Sequence, residues 1–285
     1  MSANINKGRR RNVLPSPYFK TESHLLTSAA QSSTITSDII SSSKNKGKIS
    51  KSSVESNRED PRLGLPFSFF NTPCVELAKA LLGKILVRKM LNGVLLKGII
   101  VETESYLGGL DKASISYGGK ITEKSKPMYM KPGTTFVYLT YGMYNLINIS
   151  SHGDGAAVLL RALDPIEGLE LMATNRNGFQ PNKNKPKKEL KEIPSHQLCN
   201  GPAKLCISMG ITKEKCNMQD LTTWSEMWVE SGEDIPEERI VKSSRIGIDS
   251  AGEEWAKKLL RFYVLNNKSV SKRDKVQESL LLCTD

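Results

Sequence analysis

The sequence predicts a fold of the α/β class, α+β type: one domain with a mixed, mainly antiparallel β core and flanking helices. Three observations predict it. Asn92-Gly93 stands between two apolar runs, KILVRKM (84–90) and VLLKGIIVETESY (94–106), at the spacing of a two-residue hairpin. VYLT and YNLINIS flank Tyr141-Gly142-Met143, a second hairpin signal. Helix-start signals stand at Thr72-Pro73 and at Asp164-Pro165-Ile166-Glu167.

Each element has its own reason. Residues 1–62 are poor in aromatics and rich in Ser, Asn and Lys, the composition of a disordered tail. Order is expected from about Leu63, with residues 63–285 as one domain. Thr72 offers an N-cap and Pro73 a first-turn proline for VELAKALL, and Gly83 stops that helix. Gly108-Gly109 ends the strand 94–106, and 109–130 read as loop. GAAVLLRAL (155–163) is apolar enough for a buried strand. Asp164 as cap, Pro165 at N1 and Glu167 at N3 predict a helix over about 165–175. Residues 176–197 read as a mobile insert carrying Lys183, Lys185, Lys187, Lys188 and Lys191. Asn200-Gly201-Pro202 opens a short helix whose start, with Lys204 beside it, is a candidate phosphate contact. SRIGI (244–248) and LRFYVL (260–265) read as closing strands. No repeat period is present.

Formal net charge is +11 and the isoelectric point about 9.3. Residues 1–62 hold 11 Lys+Arg and 5 Asp+Glu, or +6, which leaves +5 (11 − 6) for 63–285. The body itself is basic, which points to a polyanionic partner, nucleic acid first. No apolar run approaches the roughly 20 residues of a membrane span, and no secretory apolar segment follows Met1. A soluble intracellular protein is expected, with no membrane partner. Lys7-Gly8-Arg9-Arg10-Arg11 and Lys44, Lys46, Lys48 and Lys51 read as a nuclear address. An organelle transit segment is the alternative, because the tail is Ser-rich and acid-poor. The five cysteines lack Cys-x-x-Cys spacing and the three histidines are scattered, so neither a metal site nor a Ser-His-Asp triad is expected.

The chemistry-bearing residues lie on two strands and one tip. Glu102 and Glu104 in VETESY point to one face. Arg161 interrupts the apolar VLLRAL, and a buried arginine requires a carboxylate. The pair is either a buried salt bridge or a carboxylate kept ionised in a dry site, able to polarise water. Spacing leaves Glu102 and Glu104 tied. Tyr106, Tyr117, Tyr129, Phe136, Tyr138, Tyr141 and Tyr144 supply flat surfaces for core packing or for stacked bases. Turn tips normally carry small polar residues. A tyrosine at the tip, with Met143 and Tyr144 following, suits a wedge that fills the gap left by an extruded base. A small-molecule hydrolase using paired carboxylates is the competing reading. It needs neither the basic body nor the aromatic tip.

VETESYLG, MYMKPGTTFVYLTYGMYNLINISSHGDGAAVLLRALDP, NGPAKLC and the closing RIGI…LRFYV resemble the alkyladenine (3-methyladenine) DNA glycosylase family, over about residues 63–265. The resemblance implies a curved β core with a protruding hairpin that enters the DNA minor groove. It implies a monomeric, monofunctional glycosylase of base-excision repair. Such an enzyme flips alkylated or deaminated purines (3-methyladenine, 7-methylguanine, hypoxanthine, ethenoadenine) from duplex DNA and hydrolyses the N-glycosidic bond without cofactor or metal. Downstream repair proteins are further expected partners. By position, Glu104 matches the general base and Arg161 the arginine holding it and its water, with the backbone carbonyl of Ile246 as a third water contact. Tyr106 and Tyr138 match aromatics that stack on the flipped base, and Asn148 the asparagine that clashes with the amino group of guanine. Tyr141, with Gly142, Met143 and Tyr144, matches the intercalating tip, and Met128 a further DNA-side contact. A catalytically weak lesion-binding protein is the alternative.

Two positions depart from the family pattern. Ile115 stands where the family has a histidine that packs on the base, and Phe136 where it often has a tyrosine able to bond that histidine. The two changes agree, since neither leaves a polar partner stranded. They imply a drier base pocket that favours cationic alkylpurines over neutral lesions.

Overall fold

The computed structural model describes residues 64–180 and 192–283. Strand β2 (Leu95–Tyr106) organises the sheet. Its first half alternates in burial, while Ile100–Ser105 is buried without interruption, the pattern of a strand covered on both faces. One edge of β2 is shared by two partners. Its start pairs with β1 (Ile85–Lys89), Lys89 opposite Leu95. Its end pairs with β8 (Arg261–Val264), Glu104 opposite Arg261. Strand β5 (Ala157–Glu167) runs along the other edge. Strands β3 (Thr135–Thr140) and β4 (Tyr144–Ser150) extend the sheet beyond β5, and β6 (Met227–Glu230) extends it beyond β1. β7 (Ile240–Ser243) pairs with β8. All these pairings are antiparallel, as the α+β expectation requires.

The β2–β5 register shifts at Lys97/Gly98, at Ile100/Glu102 and at Glu102/Thr103. An unpaired residue bends a strand and increases its twist. The shifts therefore curl the sheet where β2 changes partner, beside the two glutamates. Alternation then separates two faces. Thr103 Oγ1 donates to Ala78 O (2.8 Å) and Ser105 Oγ to Cys74 O (3.2 Å), tying one face of β2 to the helix Cys74–Ala80. Glu102 and Glu104 project from the opposite face. Leu77, Leu81, Leu86, Leu96, Ile100 and Leu160 are fully buried in the core, each contributing about 1.5–3 kcal/mol through burial.

Five local expectations are corrected. The hairpin at Asn92-Gly93 has a three-residue loop: Met90 N–H donates to Val94 O, and Gly93 takes φ +83°, a left-handed position that glycine adopts without Cβ strain. The helix starts at Cys74, not at Pro73, and Thr72 Oγ1 donates backwards to Phe69 O (3.0 Å) instead of capping it. No helix begins at Pro165. β5 continues to Glu167, Gly168 breaks it, and the helix is Leu169–Gly178. Pro165 sits opposite Gly98 at a register shift, where a missing N–H is tolerated. Asp164 meanwhile accepts from Ser269 Oγ (2.8 Å) rather than capping a helix. Residues 244–248 form a bend after β7, not a strand. The segment 176–197 carries helix at both ends, through Gly178 and over Ser195–Leu198. Its lysines from 183 to 191, like the tail 1–62, lie outside the described residues.

Candidate active site

Glu102 and Glu104 are both fully buried, and Arg161 on β5 bridges them. Arg161 Nε donates to Glu102 Oε1 (3.1 Å), and Nη1 lies 3.1 Å from Glu104 Oε1. Burial pulls the Arg161 pKa down, but Glu104 and Glu102 together carry it above its ordinary value. The partners then separate the two carboxylates. Glu102 Oε1 also accepts from Arg261 Nη1 (2.9 Å), and Oε2 from the Ser271 N–H (2.7 Å). Glu104 Oε1 accepts from the Ile246 N–H (2.8 Å), and Oε2 from the Tyr106 hydroxyl (2.9 Å). Burial, then the Glu104 charge, drives the Tyr106 pKa well above the ordinary phenol range, so Tyr106 remains a donor.

A cavity of about 450 Å³ is lined by neither glutamate itself but by partners of Glu104. Tyr106, Arg161 and Ile246, all partners of Glu104, line it, whereas Arg261 and Ser271, which hold only Glu102 or its side of Arg161, do not. Glu104 is thus the carboxylate whose ligands face the cavity. Ile246 reaches Glu104 through its N–H.

The remaining cavity wall is apolar and aromatic. Ile115, Met128, Phe136 and Tyr138 pack together, with the Phe136 and Tyr138 rings stacked at 5.1 Å between centroids. Burial, then Glu104, raises the Tyr138 pKa to about 12. Asn148 lines the same wall, and its Nδ2 donates to Phe136 O (3.3 Å). Met128 is 3% exposed. It forms part of the cavity wall.

The tip is built as the sequence reading required. Thr140 pairs with Tyr144, leaving Tyr141, Gly142 and Met143 as the loop. Tyr141 is 86% exposed and has φ +51°. A non-glycine residue in the left-handed region is strained by about 1–2 kcal/mol, so neither burial nor backbone preference explains a tyrosine here. Tyr144 is less free, since its ring lies 5.7 Å from that of Phe179. Lys204 Nζ donates to Asn200 Oδ1 (2.8 Å), beside Pro202 and Ala203 of the cavity rim.

Two cations near the site were not anticipated. Lys124 Nζ lies 5.0 Å from the Tyr138 ring centroid. Arg245 lies 4.7 Å from the Tyr106 ring centroid and pairs through both terminal nitrogens with Asp111, both side chains being fully buried. Asp111 also accepts from the N–H groups of Leu107 (3.1 Å) and Ala113 (3.0 Å). This pair fastens the loop that carries Ile115 to the bend that carries Ile246. The logic that found a partner for Arg161 applies equally to the arginine in SRIGI. Among the described residues, no cluster of His, Cys, Asp and Glu could hold a metal ion.

Comparison with known proteins gives the family. A family described as methylpurine-DNA glycosylase (MPG) matches residues 68–268. DNA-3-methyladenine glycosylase of Homo sapiens is 48% identical over 218 residues, 76% of this chain and 70% of that protein. A protein of Encephalitozoon cuniculi (strain GB-M1), named probable DNA-3-methyladenine glycosylase, is 44% identical over 199 residues, 70% of this chain and 88% of its own. The matched span holds both glutamates, Arg161, the cavity wall and the Tyr141 tip, and the chain belongs to the methylpurine-DNA glycosylase family.

Proposed function

We propose that this chain, a DNA-3-methyladenine glycosylase, turns alkylated purines out of duplex DNA and cleaves their N-glycosidic bond with water activated by Glu104. The observation that carries the reading is Glu104 itself. It is a buried carboxylate held by Arg161, Tyr106 and the Ile246 amide, three residues that line an aromatic cavity.

The steps follow from the groups present. The basic body attracts the duplex. Tyr141 enters the stack from the minor-groove side and fills the space of the extruded nucleotide, with Met143 beside it. The base enters the cavity against Tyr106 and Tyr138. Asn148 disfavours a guanine amino group, and Lys204 contacts a phosphate. An N3- or N7-alkylated purine is cationic, so it leaves readily. As the bond to C1′ lengthens, positive charge develops on the sugar, and the Glu104 carboxylate stabilises it. Glu104 takes a proton from water as the water oxygen bonds to C1′. The products are the free base and an abasic site. No lysine nucleophile is used, so no strand cleavage accompanies release. One chain supplies every group, and a monomer suffices.

The test is single-turnover excision from a duplex carrying one 3-methyladenine, with binding measured in parallel. Wild type releases the base, and Glu104→Gln binds but does not release it. Tight binding without release by either protein would assign the chain as a lesion-binding protein instead.

A further inference from the structure

We propose that Glu102 is a positioning residue for the reaction, set by a C-terminal latch at Ser271–Asp274. The inference rests on the reading of Glu104 as the base.

The geometry is a chain of hydrogen bonds that reaches Glu104 through its ion pair with Arg161. Arg161 uses three nitrogens: Nη1 at Glu104 Oε1, Nε at Glu102 Oε1 and Nη2 toward Ser271 Oγ (3.5 Å). A guanidinium is planar, so fixing two of its nitrogens fixes where the third points. Glu102 is fixed in turn, by Arg261 Nη1 on Oε1 (2.9 Å) and by the Ser271 N–H on Oε2 (2.7 Å). Arg261 is clamped by Lys272 O (2.7 Å), Ser243 Oγ (2.8 Å) and Ser244 O (2.8 Å). Ser243 Oγ donates to Asp274 (2.6 Å), which also caps the helix Lys275–Leu282 by accepting from the Gln277 N–H (3.2 Å). The cluster Glu102, Glu104, Arg161 and Arg261 balances two negative against two positive charges in a dry interior.

Three of these groups come from residues 271–274, past the end of the family match at residue 268. Ser271 touches both members of the pair, its N–H on Glu102 and its Oγ at Arg161. A carboxylate with three such hydrogen-bonding partners, of which only Arg161 faces the cavity, has no access to substrate. Its influence on the reaction passes through the Arg161 guanidinium.

The test separates positioning from mere stability. In the full chain, Glu102→Gln/Arg261→Gln removes one charge of each sign and preserves the balance. A misplacement of about 1 Å in a reacting group costs on the order of 10²-fold in rate. The double variant is therefore expected to lose about 10²-fold in the single-turnover excision constant, while its affinity for lesion duplex stays within twofold. Arg261→Lys, which keeps the charge at Glu102, is expected to retain most of the rate. Ser271→Ala, at a partly exposed position, removes only the hydroxyl toward Arg161. It is expected to lower the excision constant about fivefold with unchanged melting temperature, so it decides the matter if the double variant does not fold. An excision constant within twofold of wild type in Ser271→Ala, or in a folded double variant, overturns the proposal. Glu104→Gln is run alongside. If it loses excision while the Glu102 variants keep theirs, the positioning role alone fails. If Glu104→Gln keeps excision, the base assignment fails and the positioning role falls with it.

Discussion

Tyr106 donates its phenolic hydrogen to Glu104 Oε2 across 2.9 Å while its ring forms part of the cavity wall. One side chain therefore belongs both to the cavity wall and to the hydrogen bonds of the carboxylate. Tyr106→Phe separates the two roles. The ring stays under Arg245, so lesion affinity should change less than twofold. The carboxylate loses a charge-assisted hydrogen bond, which is of order 1.5–3 kcal/mol. Single-turnover excision should fall by about ten- to a hundredfold. Equal losses in affinity and rate would show that the hydroxyl acts through packing and not on Glu104.

Asp111 and Arg245 form a further buried ion pair of the site, and both side chains are fully excluded from water. Removing one partner of such a pair strands the other charge and costs about 3–5 kcal/mol. Asp111→Ala should lower unfolding free energy by that amount in urea titration. Asp111→Ala/Arg245→Met should recover part of the loss, because the stranded charge is gone. A double variant no better than the single would mean that the Leu107 and Ala113 hydrogen bonds to Asp111, rather than the ion pair, hold the loop.

Tyr141 is strained and exposed, with φ +51°. Tyr141→Gly relieves the backbone and buries nothing less, so the melting temperature should hold or rise slightly. Extruding a paired base costs a few kcal/mol, and without the wedge that cost is not offset. Excision from duplex should fall about tenfold or more, and excision from single-stranded substrate, already unstacked, much less. Equal losses on both substrates would remove Tyr141 from the flipping step.

The same residues show how far the sequence could be read. Arg161 announced a carboxylate partner because an arginine inside VLLRAL has no other way to be buried. The hairpin tip announced itself because tyrosine has no local reason to sit there. Glu102 and Glu104 could not be told apart, since one strand places them on one face. What separates them is Arg261 and Ser271, 159 and 169 residues away in the chain from Glu102. The Asp164–Glu167 helix signal was locally sound and lost to β-pairing, with Pro165 drawn opposite Gly98. Met128 gave no sign of burial, because methionine suits a surface as well as a wall.

Ile115 and Phe136 lie in the cavity wall against which we propose the base is held. Ile115 packs against a wall of Met128, Phe136 and Tyr138. Two nearby polar groups are engaged, Asn148 Nδ2 with Phe136 O and the Tyr106 hydroxyl with Glu104. A cationic alkylpurine needs little from such a wall, because its charge already weakens the glycosidic bond. A neutral base needs protonation or hydrogen bonds, and the Ile115 and Phe136 side chains supply neither. Excision of 3-methyladenine should therefore exceed that of hypoxanthine and ethenoadenine by a wide margin. Ile115→His alone places an imidazole beside Phe136, which offers no partner, at a cost of about 1–3 kcal/mol. Ile115→His/Phe136→Tyr supplies the donor and its support together. The double variant should narrow the ratio of 3-methyladenine to hypoxanthine rates by about tenfold, the worth of one net hydrogen bond of about 1.4 kcal/mol. Equal rates on the two lesions in the unaltered protein would show that these side chains do not set the preference. An unchanged ratio in the folded double variant would place the discrimination at the leaving group, in the bond chemistry rather than in the wall.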